Sequence, residues 1–272
     1  MAQNTVNIER WRYIGGSDIP IILGISEFKT RYQLLQEKAQ IIEDTFEGNK
    51  YTEFGNILEP QIRAYINANY DSYFVEGKHY AGDVRIHTDG EDDITQTVLE
   101  VKTTSRIYDD VNKYKVYLAQ LLFYMDTLGW ENGLLAVYER PATIDKFSLR
   151  FDALRLSTYE ININNYTDFV EQIRREVDLF REDVKKIREN PFLLEKDFFP
   201  ESIQDLANKL VEYEKRNIEL ENTFYKSKKE LENKLVDVLK AEGLKKCTGF
   251  DGWSFSITPK ENIKSSHKGD KT

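Results

Sequence analysis

Apolar residues recur at helical spacing in several stretches of the chain, and short apolar runs bounded by turn residues separate them. Phe54, Leu58, Ile62, Tyr65 and Ile66 predict a helix over 51–68, with a break or a fresh start near Glu59 because Pro60 follows it. Ser17-Asp18 before Ile19-Pro20-Ile21-Ile22-Leu23 reads as a capped short helix that Gly24 ends, and Thr30 caps a second helix over 31–41. Strands are expected at 73–80, 84–87 and 97–103. A helix over 108–128, rich in Tyr and Leu and closed by Gly129, comes next. Strands resume at 133–138, 146–151 and 154–161, and a helix over 164–189 leads to Asn190-Pro191. This order predicts an α/β fold, a central mixed sheet flanked by helices with a crossover helix in its middle.

Beyond Pro191 the pattern changes. Ile203, Leu206, Leu210, Tyr213, Asn217, Leu220, Phe224, Ser227, Leu231 and Val238 keep a three-four spacing, a heptad-like stripe with a polar residue at one core-type position. It reads either as a seam for a partner helix or oligomer, or as a long helix folded back on its own domain. Lys245–Ile257 looks like a β-hairpin. The expected organisation is a core over 1–190, a mostly helical extension with a terminal hairpin over 191–258, and a flexible polar tail over 259–272.

Composition narrows the chemistry. Of 272 residues, 40% are hydrophobic, enough for a real core. A single cysteine, Cys247, excludes a disulfide framework, a multi-cysteine zinc site and an iron–sulfur cluster. No apolar run approaches the roughly 18 residues of a spanning helix, and the start of the chain lacks a signal-peptide pattern, so a cytoplasmic protein is expected. The net charge of −9 argues against indiscriminate phosphate binding but leaves the partner open. His-Glu-x-x-His, Gly-x-Ser-x-Gly, the phosphate loop and the dinucleotide fingerprint are all absent, so any catalysis rests on carboxylates.

Glu-x-Lys occurs four times, but only Glu100–Lys102 lies in an apolar strand candidate. Alternation places Glu100 and Lys102 on one face and Leu99 and Val101 on the other. Such charges are costly on a buried strand without partners, and a hard divalent cation is one partner. Asp89, at the end of the preceding strand, Glu100 and the Val101 carbonyl supply an oxygen set suited to Mg²⁺, with Glu59 as a further acidic ligand. Lys102 would position or polarise the attacking water. The plain alternative is a strand-surface ion pair.

The motifs resemble a known family. Ile14-Gly15-Gly16-Ser17-Asp18, Ile22-Leu23-Gly24 and Leu34–Lys38 look like the opening of the YqaJ-like viral recombinases, grouped with lambda exonuclease in the PD-(D/E)xK nuclease superfamily. Phe54–Pro60 resembles that family's helix with an acidic ligand, Thr88-Asp89-Gly90 its Pro-Asp-Gly, and Leu99–Thr103 its Glu-x-Lys strand. Tyr114–Gly129 resembles its helix facing the site, which points to Gln120. The resemblance spans roughly residues 9–160.

It implies a restriction-endonuclease-like core in which Asp89, Glu100, Val101 and Glu59 hold metal and Lys102 is the catalytic lysine. Gln120 would hold substrate or water, and Ser17 with Arg10 or Arg12 would bind a terminal 5′-phosphate. A helix N-terminus with a hydroxyl and an arginine suits an anion on physical grounds too. Ser17 could instead be only a cap, and Gln120 only a polar rim residue. Asp92 or Asp93 could compete with Asp89, because His87-Thr88 and Glu91-Asp92-Asp93 depart from the family pattern. The implied activity is Mg²⁺-dependent digestion of linear duplex DNA from its 5′ ends, with Mn²⁺ able to substitute. The implied setting is a phage or prophage product in a bacterial host, handing single strand to an annealing protein and forming a homo-oligomeric ring such as a trimer. The alternatives are an endonuclease of the same superfamily and a non-enzymatic partner-binding protein.

Overall fold

Five strands of the computed structural model lie side by side in the order in which they leave the chain. They are β1 (Val75–Ala81), β2 (Val84–Asp92), β3 (Thr97–Thr104), β4 (Asn132–Glu139) and β5 (Leu156–Asn162). Only β3 and β4 run parallel. The helices before, between and after them are α1 (Ile19–Ile22), α2 (Arg31–Lys38), α3 (Lys50–Asn69), α4 (Lys115–Leu128) and α5 (Thr167–Glu189). Parallel strands need a long crossover, and α4 provides it. The mixed sheet with a central crossover helix is therefore as the pattern predicts. Residues 9–44, 48–144, 149–250, 253–260 and 262–267 are described, and the chain divides into two compact units, Met1–Glu195 and Lys196–Thr272.

One face of the sheet carries α3. Phe54, Leu58, Ile62 and Ile66 pack with Phe74, Leu99, Val101, Leu134, Ala136 and Tyr138. The opposite face carries α4, whose Leu118, Leu121, Leu122 and Met125 are buried. Strand alternation thus splits β3: Leu99 and Val101 join the α3 core, and Glu100 points to the α4 side.

α3 differs from expectation. Pro60 does not break it; one helix runs from Lys50 to Asn69. Asn56, whose carbonyl loses its N–H partner to Pro60, lies on the exposed side, and the apolar face anchors the helix on both sides of the proline. The strand expected over 146–151 falls partly on residues outside those described, and 149–151 is not strand. Instead, Gln61 of α3 holds that segment: its amide donates to Leu149 O at 3.0 Å and accepts from Phe151 N at 3.2 Å.

β2 runs five residues past the expected 84–87. Its pairing with β1 steps from Gly77↔Thr88 to Val75↔Glu91, so the Asp89-Gly90 stretch holds one extra residue, a β-bulge. Bulges re-aim side chains. Gly90 fits the crowding there, since a Cβ would lie 2.9 Å from that of Phe74.

In the second unit α6 (Glu201–Ala241) is followed by β6 (Lys246–Phe250), β7 (Trp253–Ile257) and β8 (Ile263–His267), an antiparallel three-stranded sheet. The hairpin is as expected. Residues 263–267, expected within a solvated tail, instead form β8: the ladder with β7 satisfies their backbone groups, which outweighs their weak apolar content. Among the described residues of α6 only Val236 and Leu239 are buried. No helix among the described residues is long and apolar enough to cross a membrane.

Candidate active site

The bulge in β2 brings Asp89 beside β3. Past Gly90↔Leu99 the two strands no longer pair, and Val101 N donates to Asp89 Oδ2 at 2.7 Å. A strand residue's N–H and C=O point to the same side, so the Val101 carbonyl also turns toward this gap. Glu100 is fully buried on the α4 face. Its Oε1 makes an ion pair with Lys102 Nζ, and its Oε2 has no hydrogen-bond partner. An orphaned buried carboxylate oxygen is expensive unless a cation completes it.

The electrostatics agree. Burial and the neighbouring Glu100 charge push the Asp89 pKa up to about 7 against the pull of Lys102, the Val101 N–H and Arg63. Burial raises Glu100 as well, opposed by Lys102 and reinforced by Glu59. Burial would lower Lys102, but the Glu100 and Asp89 carboxylates outweigh it and hold the ammonium protonated. Two crowded carboxylates and one lysine are therefore gathered where a single positive centre would relieve them.

Glu59 lies at the edge of this group. Burial, Asp89 and Glu76 raise its pKa, and Arg63, one helical turn on, donates to it at 3.0 Å. Arg63 also donates to Asp89 O and Glu76. It thus ties α3 to the bulge. Among the described residues no three Asp, Glu, His or Cys side chains converge as a metal cluster. The oxygens that could hold a divalent ion are those of Asp89, Glu100 and the Val101 carbonyl, with Glu59 held on Arg63.

The competing acids are spent elsewhere. Asp92 accepts from the backbone N–H groups of Tyr73, Ile94 and Thr95; burial raises its pKa, but these donors outweigh it and hold it low. Glu91 is bound by His79 Nε2 and by Thr88 Oγ1 at 2.6 Å. Asp93 is exposed.

On α4, Gln120 and Tyr124 share a face one turn apart. Gln120 Nε2 donates to the Tyr124 hydroxyl at 2.9 Å. Burial and the Glu100 and Asp89 charges keep the Tyr124 phenol protonated far above its usual range. Gly16 packs against that ring, where a Cβ would collide with it. The glycine thereby brings the 15–18 turn up to the carboxylates.

In that turn Ser17 is exposed and accepts from Arg10 Nη2 at 3.1 Å. Ser17 caps neither element here: Gly15 precedes the 3-10 turn Gly16–Asp18, and Asp18 precedes α1. Arg10 also faces Asp18 at 3.6 Å and Asp44 at 3.4 Å, whereas Arg12 is turned to Glu9 at 3.0 Å. The structure therefore joins Ser17 to Arg10 and not to Arg12. Beneath them Lys38 is buried and donates to Asp18 at 2.7 Å, Arg10 O at 3.0 Å and Tyr13 O at 2.5 Å. Gly15 N donates to the same Asp18 oxygen at 2.9 Å.

Three residues that shape this site escape the sequence reading. Lys38 stands four residues after Leu34 and three after Leu35, a charge on an apolar helical face. Arg63 stands four after Glu59, the spacing of a helical ion pair. Tyr124 was masked by its apolar neighbours.

Residues 8–127 match the YqaJ-like viral recombinase domain. Among solved structures, a phage-related exonuclease from Haemophilus somnus 129PT superposes with a TM-score of 0.52 at 17% identity, covering 64% of this chain and 94% of that one. An alkaline exonuclease, LHK-Exo, solved in complex with dAMP, superposes with a TM-score of 0.50 at 16% identity, covering 74% and 96%. These likenesses identify the fold. No curated protein matches the chain.

Proposed function

We propose, for a chain that carries a YqaJ-like viral recombinase domain over residues 8–127, a Mg²⁺-dependent exonuclease that digests one strand of linear duplex DNA from its 5′ end. The observation that carries the reading is the convergence of Asp89, Glu100 and Lys102 around the bulge, with Glu100 Oε2 buried and unpartnered. Asp89, Glu100 and the Val101 carbonyl would hold the ion, and this hard-oxygen set suits Mg²⁺ or Mn²⁺. Bound there, the ion would polarise the phosphodiester and ease deprotonation of water.

The chain's own groups do the rest. Lys102, held protonated by its two carboxylates, offsets charge that develops on the phosphate. Gln120 and the protonated Tyr124 offer neutral polar groups on the opposite wall. Arg10 and Ser17 take the terminal 5′-phosphate, which competes with Asp44 and Asp18 for the guanidinium. Contacts of this kind read the backbone and not the bases, so sequence preference is not expected. The product would be single strand for an annealing partner in phage-type recombination.

The test is digestion of end-labelled linear duplex and of closed-circular plasmid with Mg²⁺, using wild type and Lys102→Ala. Loss of the linear duplex from its 5′ ends, an intact circle and an inert variant support the reading. Cutting of the circle replaces it with an endonuclease. Absence of metal-dependent cleavage on both substrates rejects nuclease function.

A further inference from the structure

We propose that α6 pairs with α6 of a second copy of this chain as a parallel, in-register two-stranded coiled coil. This inference is independent of the nuclease reading. α6 spans 41 residues, about 60 Å at 1.5 Å per residue. With Ile203 at position a, the stripe keeps strict a and d spacing to Leu231, apolar except at Asn217 and Ser227. These side chains are exposed: Leu206 is 69%, Leu210 62%, Leu220 67%, Phe224 72% and Leu231 66% accessible. An apolar stripe sustained over about four heptads is long enough for a stable seam, and a solvated helix gains nothing by keeping one.

Two further features of the sequence specify the occupant. Asn217 falls at an a position, where a parallel, in-register pair sets it against its own copy and each amide finds both a donor and an acceptor. A shift of one heptad would face it with Leu210 or Phe224. The flanking charges fit the same arrangement. A g residue meets the e residue five positions on in the partner helix, so Lys209 faces Glu214 of the partner subunit and Arg216 faces Glu221 of the partner subunit. Symmetry makes four attractive pairs. The later pairings, Thr223 with Lys228 and Glu230 with Leu235, set no like charges together. The stripe is therefore complementary to itself in both its apolar and its charged positions, and a polar residue at a favours two strands over three.

The full chain tests this by sedimentation velocity at micromolar concentration. Lys209→Glu with Arg216→Glu turns all four pairs repulsive, as does Glu214→Lys with Glu221→Lys, and all four positions are exposed so the fold is preserved. Each double variant alone should self-associate about thirtyfold more weakly, the effect of four exposed pairs each turned from attraction to repulsion. Mixing the two should restore a heterodimer. In a Cys247→Ser background, Ser227→Cys should form an inter-chain disulfide on mild oxidation, because a d position meets its own copy only when the helices run parallel and in register. A monomeric wild type, an assembly indifferent to both charge reversals, or reversal variants that fail to recover on mixing would each overturn the proposal.

Discussion

Replacing Lys38 with Met isolates a buried electrostatic arrangement outside the carboxylate site. Lys38 is 4% exposed, and all its ammonium protons are used, on Asp18, Arg10 O and Tyr13 O. Asp18 is 1% exposed. The substitution would leave the Asp18 carboxylate with the Gly15 N–H and the Arg10 guanidinium at 3.6 Å, and would take the lysine donor from the Arg10 and Tyr13 carbonyls. Breaking a buried pair from one side costs about 3–5 kcal/mol. For a folding unit of this size that lowers Tm by roughly 10 °C. Asp18→Asn added to Lys38→Met should recover about half of the loss, since the double variant buries no unpaired charge. Urea unfolding followed by tryptophan fluorescence would report it, with amide exchange over 9–18 to localise the damage. A single variant within about 1 kcal/mol of wild type would refute the reasoning.

The same pair sets a pH dependence. Burial raises the Asp18 pKa, but Lys38, Arg10 and the Gly15 N–H outweigh it, so the folded value lies below the ordinary one. A carboxylate depressed on folding contributes stability that is fully present above its unfolded pKa, about 3.9, and is lost as pH falls through the folded value. In Lys38→Met burial dominates and the Asp18 pKa rises. The gap between wild type and variant should therefore be widest near neutrality and narrow as pH falls toward about 4.

Glu100→Gln should abolish cleavage while leaving Tm without divalent ion equal to or above that of wild type, because it removes a buried charge whose Oε2 has no partner; a fall in Tm of several degrees would make Glu100 a structural residue. Gly16→Ala should destabilise by about 1–3 kcal/mol through collision with the Tyr124 ring, and Tyr124→Leu in the same chain should restore part of the loss in thermal unfolding. Arg10→Ala with Ser17→Ala should slow digestion of 5′-phosphorylated ends about tenfold more than that of 5′-hydroxyl ends, in keeping with one lost charge-assisted contact. Equal slowing on both ends would remove the phosphate pocket.

What the chain spelled out locally was legible in advance. Glu100 and Lys102 against Leu99 and Val101 is a period-two statement, and the structure divides them between the two faces of the sheet as alternation requires. The capped helix at Thr30, the α4 crossover and the parallel β3–β4 pair follow from patterns of the same kind. Pro60 misled because helix propensity is a local penalty that the buried face of α3 outweighs. The segment 149–151 misled for a related reason: its backbone partners come from a side chain, Gln61, nearly ninety residues away in sequence.

The bulge at Asp89-Gly90 was illegible because one extra residue in a strand leaves no composition signal. It is nevertheless what sorts the acidic residues Asp89, Glu91 and Asp92 into different roles. Without it, alternation along β2 would put Asp89 and Glu91 on one face and offer both to the site. With it, Glu91 pairs with His79 and Thr88 on the β1 side, Asp92 is consumed by the turn that follows, and Asp89 alone turns to Val101. The bulge is held from outside the sheet by Arg63, which grips the Asp89 carbonyl and Glu59 together. A cation on α3 thus fixes the backbone geometry on which the carboxylate site depends, so Arg63 belongs to the site without needing to touch substrate.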